Sequence, residues 1–381
     1  MPENQSPKLH IPDLSIKNFR GIQNLSIKKL GRVTLLAGRN GVGKTTILEA
    51  IRVYAARGRH DIFEKLLRKR YEYVITHTGE QDSILDYTTL FYGGHASPDQ
   101  TISIGPNSDQ DQLRIEAIKA SDLSPMQLDF FADIVPLGSS LQVIRVTCHN
   151  SESIIPCFLE LPNFSEHPSF PNIPRRLRRR ILGDSDLPAP IACESLGPEL
   201  PSSSILARFW DNMVITNAES MGLRAINLTE NDIDGIVVIG GSNGRLGREG
   251  RRIMAKVSDS PRYVPLCSLG NGTIRSFAAA VALAHSSDGF LVIDQVENGI
   301  HYSALRSFWS MMLEAAQKYN VQVLATTHSF DCVRAFARTS IENEEAEGAL
   351  VRLDKKDGQV RTVEYSEKEL EIAADQDIEV R

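Results

Sequence analysis

Eight consecutive residues, Gly38-Arg39-Asn40-Gly41-Val42-Gly43-Lys44-Thr45, have the spacing G-x-x-x-x-G-K-[ST]. The glycines let successive backbone N–H groups curl around an anion, and a helix starting at Lys44 adds the positive end of its dipole. Lys44 is placed to reach the β- and γ-phosphates of a nucleotide such as ATP. Thr45, followed by Thr46, offers a hydroxyl to Mg²⁺.

Three more stretches carry chemistry of the same kind. "GFLVID" runs through four apolar residues to Asp294, a carboxylate of the type that holds a Mg²⁺ shell from a strand expected beside the P-loop strand. "SLGNGTIR" sets Ser268, Gly270 and Gly272 directly before a helix, where small residues let a γ-phosphate approach the backbone. His328, in "ATTHSF", closes the following strand, at the edge where open α/β sheets bind ligands. Singly, these read as an ordinary strand end, a capped turn and a structural histidine. Joined to the P-loop they read as one nucleotide site.

The elements that must position these residues follow from the hydrophobic pattern. "DLSIKNF", "NLSIKKL" and "RVTLLAG" read as strands before the glycine loop, and the helix after it runs to near Gly58. In the last third, "TIRSFAAAVALAHSS", "SALRSFWSMMLEAAQKYN" and "SFDCVRAFART" read as helices alternating with the strands "GFLVID" and "VQVLATT". Leu305, Phe308, Trp309, Met312 and Ala316 fall at helical spacing. Such alternation predicts an α/β fold with a mostly parallel sheet and right-handed crossovers. Residues 1–58 and 265–381 then form one nucleotide-binding head. Residues 59–264 form a mixed α/β insertion that completes it, with a loop-rich basic excursion near 162–204. Within the insertion, "YEYVITH", "DYTTLFYGG", "SLQVIRVTCHN" and "IIPCFLEL" are expected as added strands and loops.

Composition bounds the function. A chain of 381 residues with 41% hydrophobic and 24% charged residues is globular in type, and its net charge of -6 gives no overall pull toward nucleic acid. The start has no leader-like pattern and no apolar run approaches the ~18 residues of a membrane span, so a cytoplasmic protein without a membrane role is expected. Five cysteines form no C-x-x-C pair and are expected as reduced, mostly buried thiols.

The ordered set "IKNFRGI", "GRNGVGKTT", "PLCSLGNGTIR", "LVIDQVENGIHYS" and "ATTHSFDCV" resembles the ABC-type AAA ATPases related to RecF, the SMC proteins and the overcoming-lysogenization-defect (OLD) family, above all their compact stand-alone members. The specific motifs cover about the first sixty and the last hundred and twenty residues. The resemblance implies an ABC-type P-loop head, with an N-terminal antiparallel subsheet, that forms a homodimer or higher oligomer around two ATP molecules. Ser268, Gly270 and Gly272 of one subunit would then face the γ-phosphate held by Lys44 of the other. His328 corresponds to the switch histidine, and "ENGIHYSAL" to the loop that meets the second subunit. It further implies a role in anti-phage defence or in DNA maintenance and repair. The chain has no extension matching the Toprim nuclease domain of OLD proteins, so a separate effector, a Toprim or other nuclease, is expected to supply any cleavage.

Two departures stand out. The family follows the aspartate with glutamate, whereas this chain has Asp294-Gln295, and no Q-loop glutamine is evident between the P-loop and residue 268. An amide holds a water but is a negligible base, and losing a positioned base costs about 10²- to 10⁴-fold in rate. Three explanations are open: an engineered Glu-to-Gln exchange that traps ATP, a natural glutamine with Glu297 or His328 serving the water, or a natural slow switch.

Arg175 to Arg180, "RRLRRR", could neutralise nucleic-acid phosphates, or could be a solvated face or a partner for the acidic C-terminal stretch. Besides the ATPase switch, a catalytically silent, ATP-loaded scaffold that assembles or sequesters its partner fits the motifs. The ATPase subunit of a membrane transporter fits them less well, given "NFRGI" and "SLGNG".

Overall fold

The computed structural model describes residues 9–76, 79–97, 100–119, 122–124, 142–157, 187–216, 218–229, 232–240, 251–258, 262–343, 347–365 and 369. The chain begins with β1 (Leu14–Phe19), β2 (Ile22–Ile27) and β3 (Val33–Gly38), then α1 (Lys44–Ala55) and α2 (His60–Lys69). β4 (Tyr73–Thr76), β5 (Gly79–Leu85), β6 (Ile102–Gly105), β7 (Leu113–Lys119), β8 (Gln142–Cys148), β9 (Ser151–Cys157) and β10 (Cys193–Leu196) follow. Next come α3 (Ser203–Ile215), α4 (Glu219–Ile226), β11 (Ile233–Ile239), β12 (Arg252–Val257) and β13 (Tyr263–Pro265). The chain ends with α5 (Asn271–His285), β14 (Phe290–Ile293), α6 (Leu305–Lys318), β15 (Gln322–Thr327), α7 (Phe330–Glu342), β16 (Gly348–Lys356) and β17 (Gln359–Tyr365).

Among the described residues, the central sheet has the order β10-β14-β15-β3-β16-β17 and is parallel except at β16–β17. A second sheet, β2-β1-β6-β7-β8-β9, is antiparallel throughout, so the first two strands are continued by strands of the insertion. The fold is therefore a mixed α/β, P-loop NTPase-like architecture with the mostly parallel sheet that the alternation predicts and the antiparallel subsheet that the family resemblance implies. "DYTTLFYGG", read as a strand or loop, forms short 3-10 turns at Tyr87–Leu90 and Tyr92–Gly94.

One expectation is corrected. The strand ending at Asp294 does not lie beside the P-loop strand, because β15 stands between them. β14 instead pairs with β10, a four-residue strand inside the stretch expected to be loop-rich. "CESL" alternates without an apolar run, which is why its sequence gives no strand signal.

Alternate residues of the central strands feed two cores. Leu35, Ile293 and Val323 face one core with Trp210, Phe277, Phe308 and Trp309 from the helices. Leu36, Val292 and Leu324 face the other, which α1 and α2 share with Ile16, Ile104 and Val146 of the antiparallel sheet. Burial on both faces is what near-continuous runs such as "FLVI" and "QVLATT" require. α1 is thus clamped between two sheets, and the loop feeding it is set by rigid neighbours. No helix among the described residues is long and apolar enough to cross a membrane. Arg175 to Arg180 and most of the acidic C-terminal stretch lie outside the described residues.

Candidate nucleotide site

The P-loop leaves the end of β3 and enters α1 through Gly43, whose φ of 108° is a conformation that side chains resist. The turn puts Lys44 at the first position of the helix with its side chain folded inward. The Lys44 ammonium donates to the carbonyls of Gly38 at 2.5 Å and Arg39 at 2.9 Å, and lies 3.2 Å from His328 Nδ1. Three donors meet three acceptors. Burial lowers the Lys44 pKa to about 8, against the opposing pull of Asp294 and Glu297. Arg39, Asn40 and Gly41 are exposed at the mouth of the loop.

Thr45, the next residue, donates its hydroxyl to Asp294 Oδ2 at 2.9 Å, so α1 spans β15 and the corrected strand order leaves the pair in contact. The other Asp294 oxygen accepts from the Thr326 hydroxyl at 2.6 Å, and Thr326 in turn accepts from the Gln295 N–H at 2.8 Å. A hydroxyl and a carboxylate converging from two elements are the donor set Mg²⁺ takes beside nucleotide phosphates and water. Among the described residues no group of three or more His, Cys, Asp or Glu could hold a metal by protein ligands alone. A nucleotide-linked Mg²⁺ needs no such group.

After Asp294 the chain turns sharply. Gln295 has φ 52°, and its carbonyl and that of Asp294 both accept from Arg275 Nη2, at 2.9 and 2.7 Å. Arg275 Nη1 donates to Gly197 O at 2.6 Å, in the loop after β10. This arginine is 1% exposed, and burial pulls it down to about 10, which leaves it charged at neutral pH. It ties the helix carrying the small-residue loop to the turn carrying Asp294. The loop after β10, "GPELPS", flanks the site without a glutamine and contributes main-chain carbonyls instead.

Glu297 Oε1 accepts from the His328 N–H at 2.9 Å, whereas Oε2 is buried without a hydrogen-bond partner among the described residues. The carboxylate therefore fixes the main chain of His328, whose ring touches Lys44. Ser268 ends a 3-10 turn, Gly270 caps α5 with φ 91°, and Gly272 packs on the 297–300 turn. A Cβ at Gly272 would sit 2.4 Å from Gly299 O, so residue 272 must be glycine for the two segments to meet. Sequence reasoning missed Thr326, Asn298 and Arg275. Thr326 is flagged by nothing except its place two residues before His328, and Arg275 stands out as the one Lys, Arg, Asp or Glu in its helix.

Two AAA-domain family models match parts of the chain. Residues 217–331 match the family described as "AAA domain, putative AbiEii toxin, Type IV TA system", and residues 13–114 match a second AAA-domain family. Between them the two matches contain every candidate site residue. An ATP/GTP phosphatase of Helicobacter pylori is 22% identical over 339 residues, 84% of this chain and 85% of that protein. An uncharacterised protein of Methanocaldococcus jannaschii is 40% identical over 60 residues, 16% of this chain and 27% of its own length. Among solved structures, an SMC head bound to the C-terminal winged-helix domain of ScpA aligns at 13% identity and a TM-score of 0.46, covering 94% of this chain and 98% of that one. The SMC head domain of Thermotoga maritima aligns at 13% identity and a TM-score of 0.40, covering 94% of this chain and 100% of that one.

Proposed function

We propose that this chain, an ABC-type AAA ATPase of the RecF/SMC-like group, binds and hydrolyses ATP with Mg²⁺ and acts as an ATP-dependent dimerising switch. The observation that carries the reading is the hydrogen-bonded convergence of Lys44, Thr45, Asp294 and His328 at one sheet edge. In this reading Lys44 exchanges its carbonyl acceptors for β- and γ-phosphate oxygens, and the P-loop N–H groups hold the remaining phosphate charge. Thr45 and Asp294 hold Mg²⁺, which neutralises charge developing on the phosphates. Arg39, Asn40, Gly41 and Thr46 line the loop, and His328 steadies the terminal phosphate through its place beside Lys44. Ser268, Gly270 and Gly272 close on the nucleotide of a second copy.

The switch controls a separate effector, a nuclease by family resemblance, in anti-phage defence or DNA maintenance within the cytoplasm. Turnover is slow because residue 295 is an amide, with Glu297 holding His328. The activity named for the Helicobacter relative supports hydrolysis and makes GTP a second nucleotide to test. A second reading, a silent ATP-loaded scaffold, is favoured by one observation: the Gln295 side-chain oxygen is already taken by Asn298.

ATP turnover and ATP-dependent dimerisation, measured together for this chain and for Gln295→Glu, test the proposal. Faster hydrolysis by the glutamate form, with both forms dimerising, supports the switch. Equally slow hydrolysis with dimerisation supports the scaffold, and no nucleotide-dependent assembly in either form contradicts both.

A further inference from the structure

The orientation of the Gln295 amide is fixed by its surroundings. Asn298 Nδ2 lies 3.2 Å from Pro198 O and 3.0 Å from Gln295 Oε1. A main-chain carbonyl accepts and never donates, so the Asn298 group facing Pro198 must be its NH₂. The Gln295 atom that meets the same NH₂ must then be its oxygen. Gln295 Nε2 is left without a partner among the described residues, with two N–H donors to give. The backbone around this amide is equally committed. The Gln295 N–H goes to Thr326, and its carbonyl accepts from Arg275 and from the Asn298 N–H at 3.1 Å. The donor therefore sits on a fixed turn, one residue from the carboxylate that Thr45 touches.

We propose that Asn298 holds Gln295 as an oriented hydrogen-bond donor to the terminal phosphate, so that residue 295 selects ATP over ADP instead of activating water. The inference rests on the ATP reading above and adds a specificity role that the loss of a base does not by itself imply. An amide is a negligible base whatever its oxygen accepts, but its N–H groups can pair with a phosphate oxygen present in ATP and absent in ADP. A glutamate at 295 would keep the Asn298 contact with one oxygen and turn the other, as an anion, toward the phosphate. Such a form gains a base and loses nucleotide discrimination. An aspartate at 298 reverses the polarity differently: it accepts from Gln295 Nε2 and turns the amide oxygen outward, with no charge placed at 295.

The test is the ratio of Mg-ATP to Mg-ADP affinity, by calorimetric titration of the full chain and its Gln295→Glu, Asn298→Asp and Asn298→Ala variants, with thermal melts to establish folding. A hydrogen bond to a charged group is worth enough to change the ratio about tenfold. The expected result is a preference for ATP in the parent that falls about tenfold in Gln295→Glu and in Asn298→Asp, and by less in Asn298→Ala, where the amide is free to turn. Should Asn298→Asp fail to fold, Gln295→Glu and Asn298→Ala carry the test. Folded variants that bind ATP with ratios within about twofold of the parent overturn the inference and leave ATP binding intact. A parent that binds neither nucleotide overturns the underlying reading, and this inference with it.

Discussion

Lys44 Nζ and His328 Nδ1 lie 3.2 Å apart, joining the first residue of α1 to the end of β15 across the sheet edge. A charged ammonium has donors and no acceptor, so Nδ1 must be the acceptor, which puts the ring proton of a neutral His328 on Nε2. The same burial that brings the two together lowers Lys44 to about 8, with Asp294 and Glu297 opposing the shift.

A pH dependence follows. From about pH 8 up to the ordinary lysine range, the folded protein has lost a proton that the unfolded chain keeps. Stability from this group therefore rises with pH over that window, whereas phosphate binding, which needs the ammonium, weakens. ATP affinity should be flat from pH 7 to 7.5 and fall by up to about tenfold per unit well above pH 8. Calorimetry in two buffers of different ionisation enthalpy should detect proton uptake on binding at pH 8.5 and little at pH 7.

Gly272→Ala tests the packing of α5 on the 297–300 turn. The new Cβ would approach Gly299 O to 2.4 Å, between two backbone segments with no flexible side chain to yield. A stability loss of about 1–3 kcal/mol is expected. It should come with a loss of ATP-dependent dimerisation larger than that of Ala280→Gly, placed in the same helix but away from the site.

Arg275→Met should be the most destabilising exchange in the site. It removes the donors of three main-chain carbonyls, Gly197, Asp294 and Gln295, in a place water reaches poorly. A cost of about 3–5 kcal/mol is expected by denaturant titration, with Arg275→Lys recovering part of it.

Glu297 separates holding from proton transfer. Glu297→Gln keeps an oxygen for the His328 N–H and removes the basic carboxylate, so turnover should fall less than about tenfold. Glu297→Ala removes the acceptor and should cost more, with ATP affinity and turnover both affected. A drop of about 10²-fold or more in the glutamine form would instead make Glu297 the base.

Most of this architecture is legible in the sequence, because local signals and global fold agree there. The P-loop, the run into Asp294, the glycines from 270 to 272 and His328 each sit at a strand or helix end that hydrophobic periodicity reveals. What was not legible depends on partners far apart in the chain. β10 has four residues without an apolar run, and its place beside β14 comes from pairing, not propensity. The corrected strand order is of the same kind: both β14 and β15 are legible as strands, but that β15 lies between β14 and β3 is set by pairing. Asn298 is an ordinary letter, and Arg275 a lone charge without a stated purpose, until Pro198 and Gly197, some 80 to 100 residues earlier, present their carbonyls. Gln295 was visible as a departure, but the direction its amide faces follows from a network no spacing rule contains.

The most direct measurement is calorimetric titration of Mg-ATP into the full chain and into Lys44→Ala, at pH 7. Saturable binding by the parent and a loss of about 100-fold or more in the variant, with a cooperative melt retained without nucleotide, is the predicted result. Equal binding by both, or none by the parent, would contradict the assignment of this sheet edge as the nucleotide site.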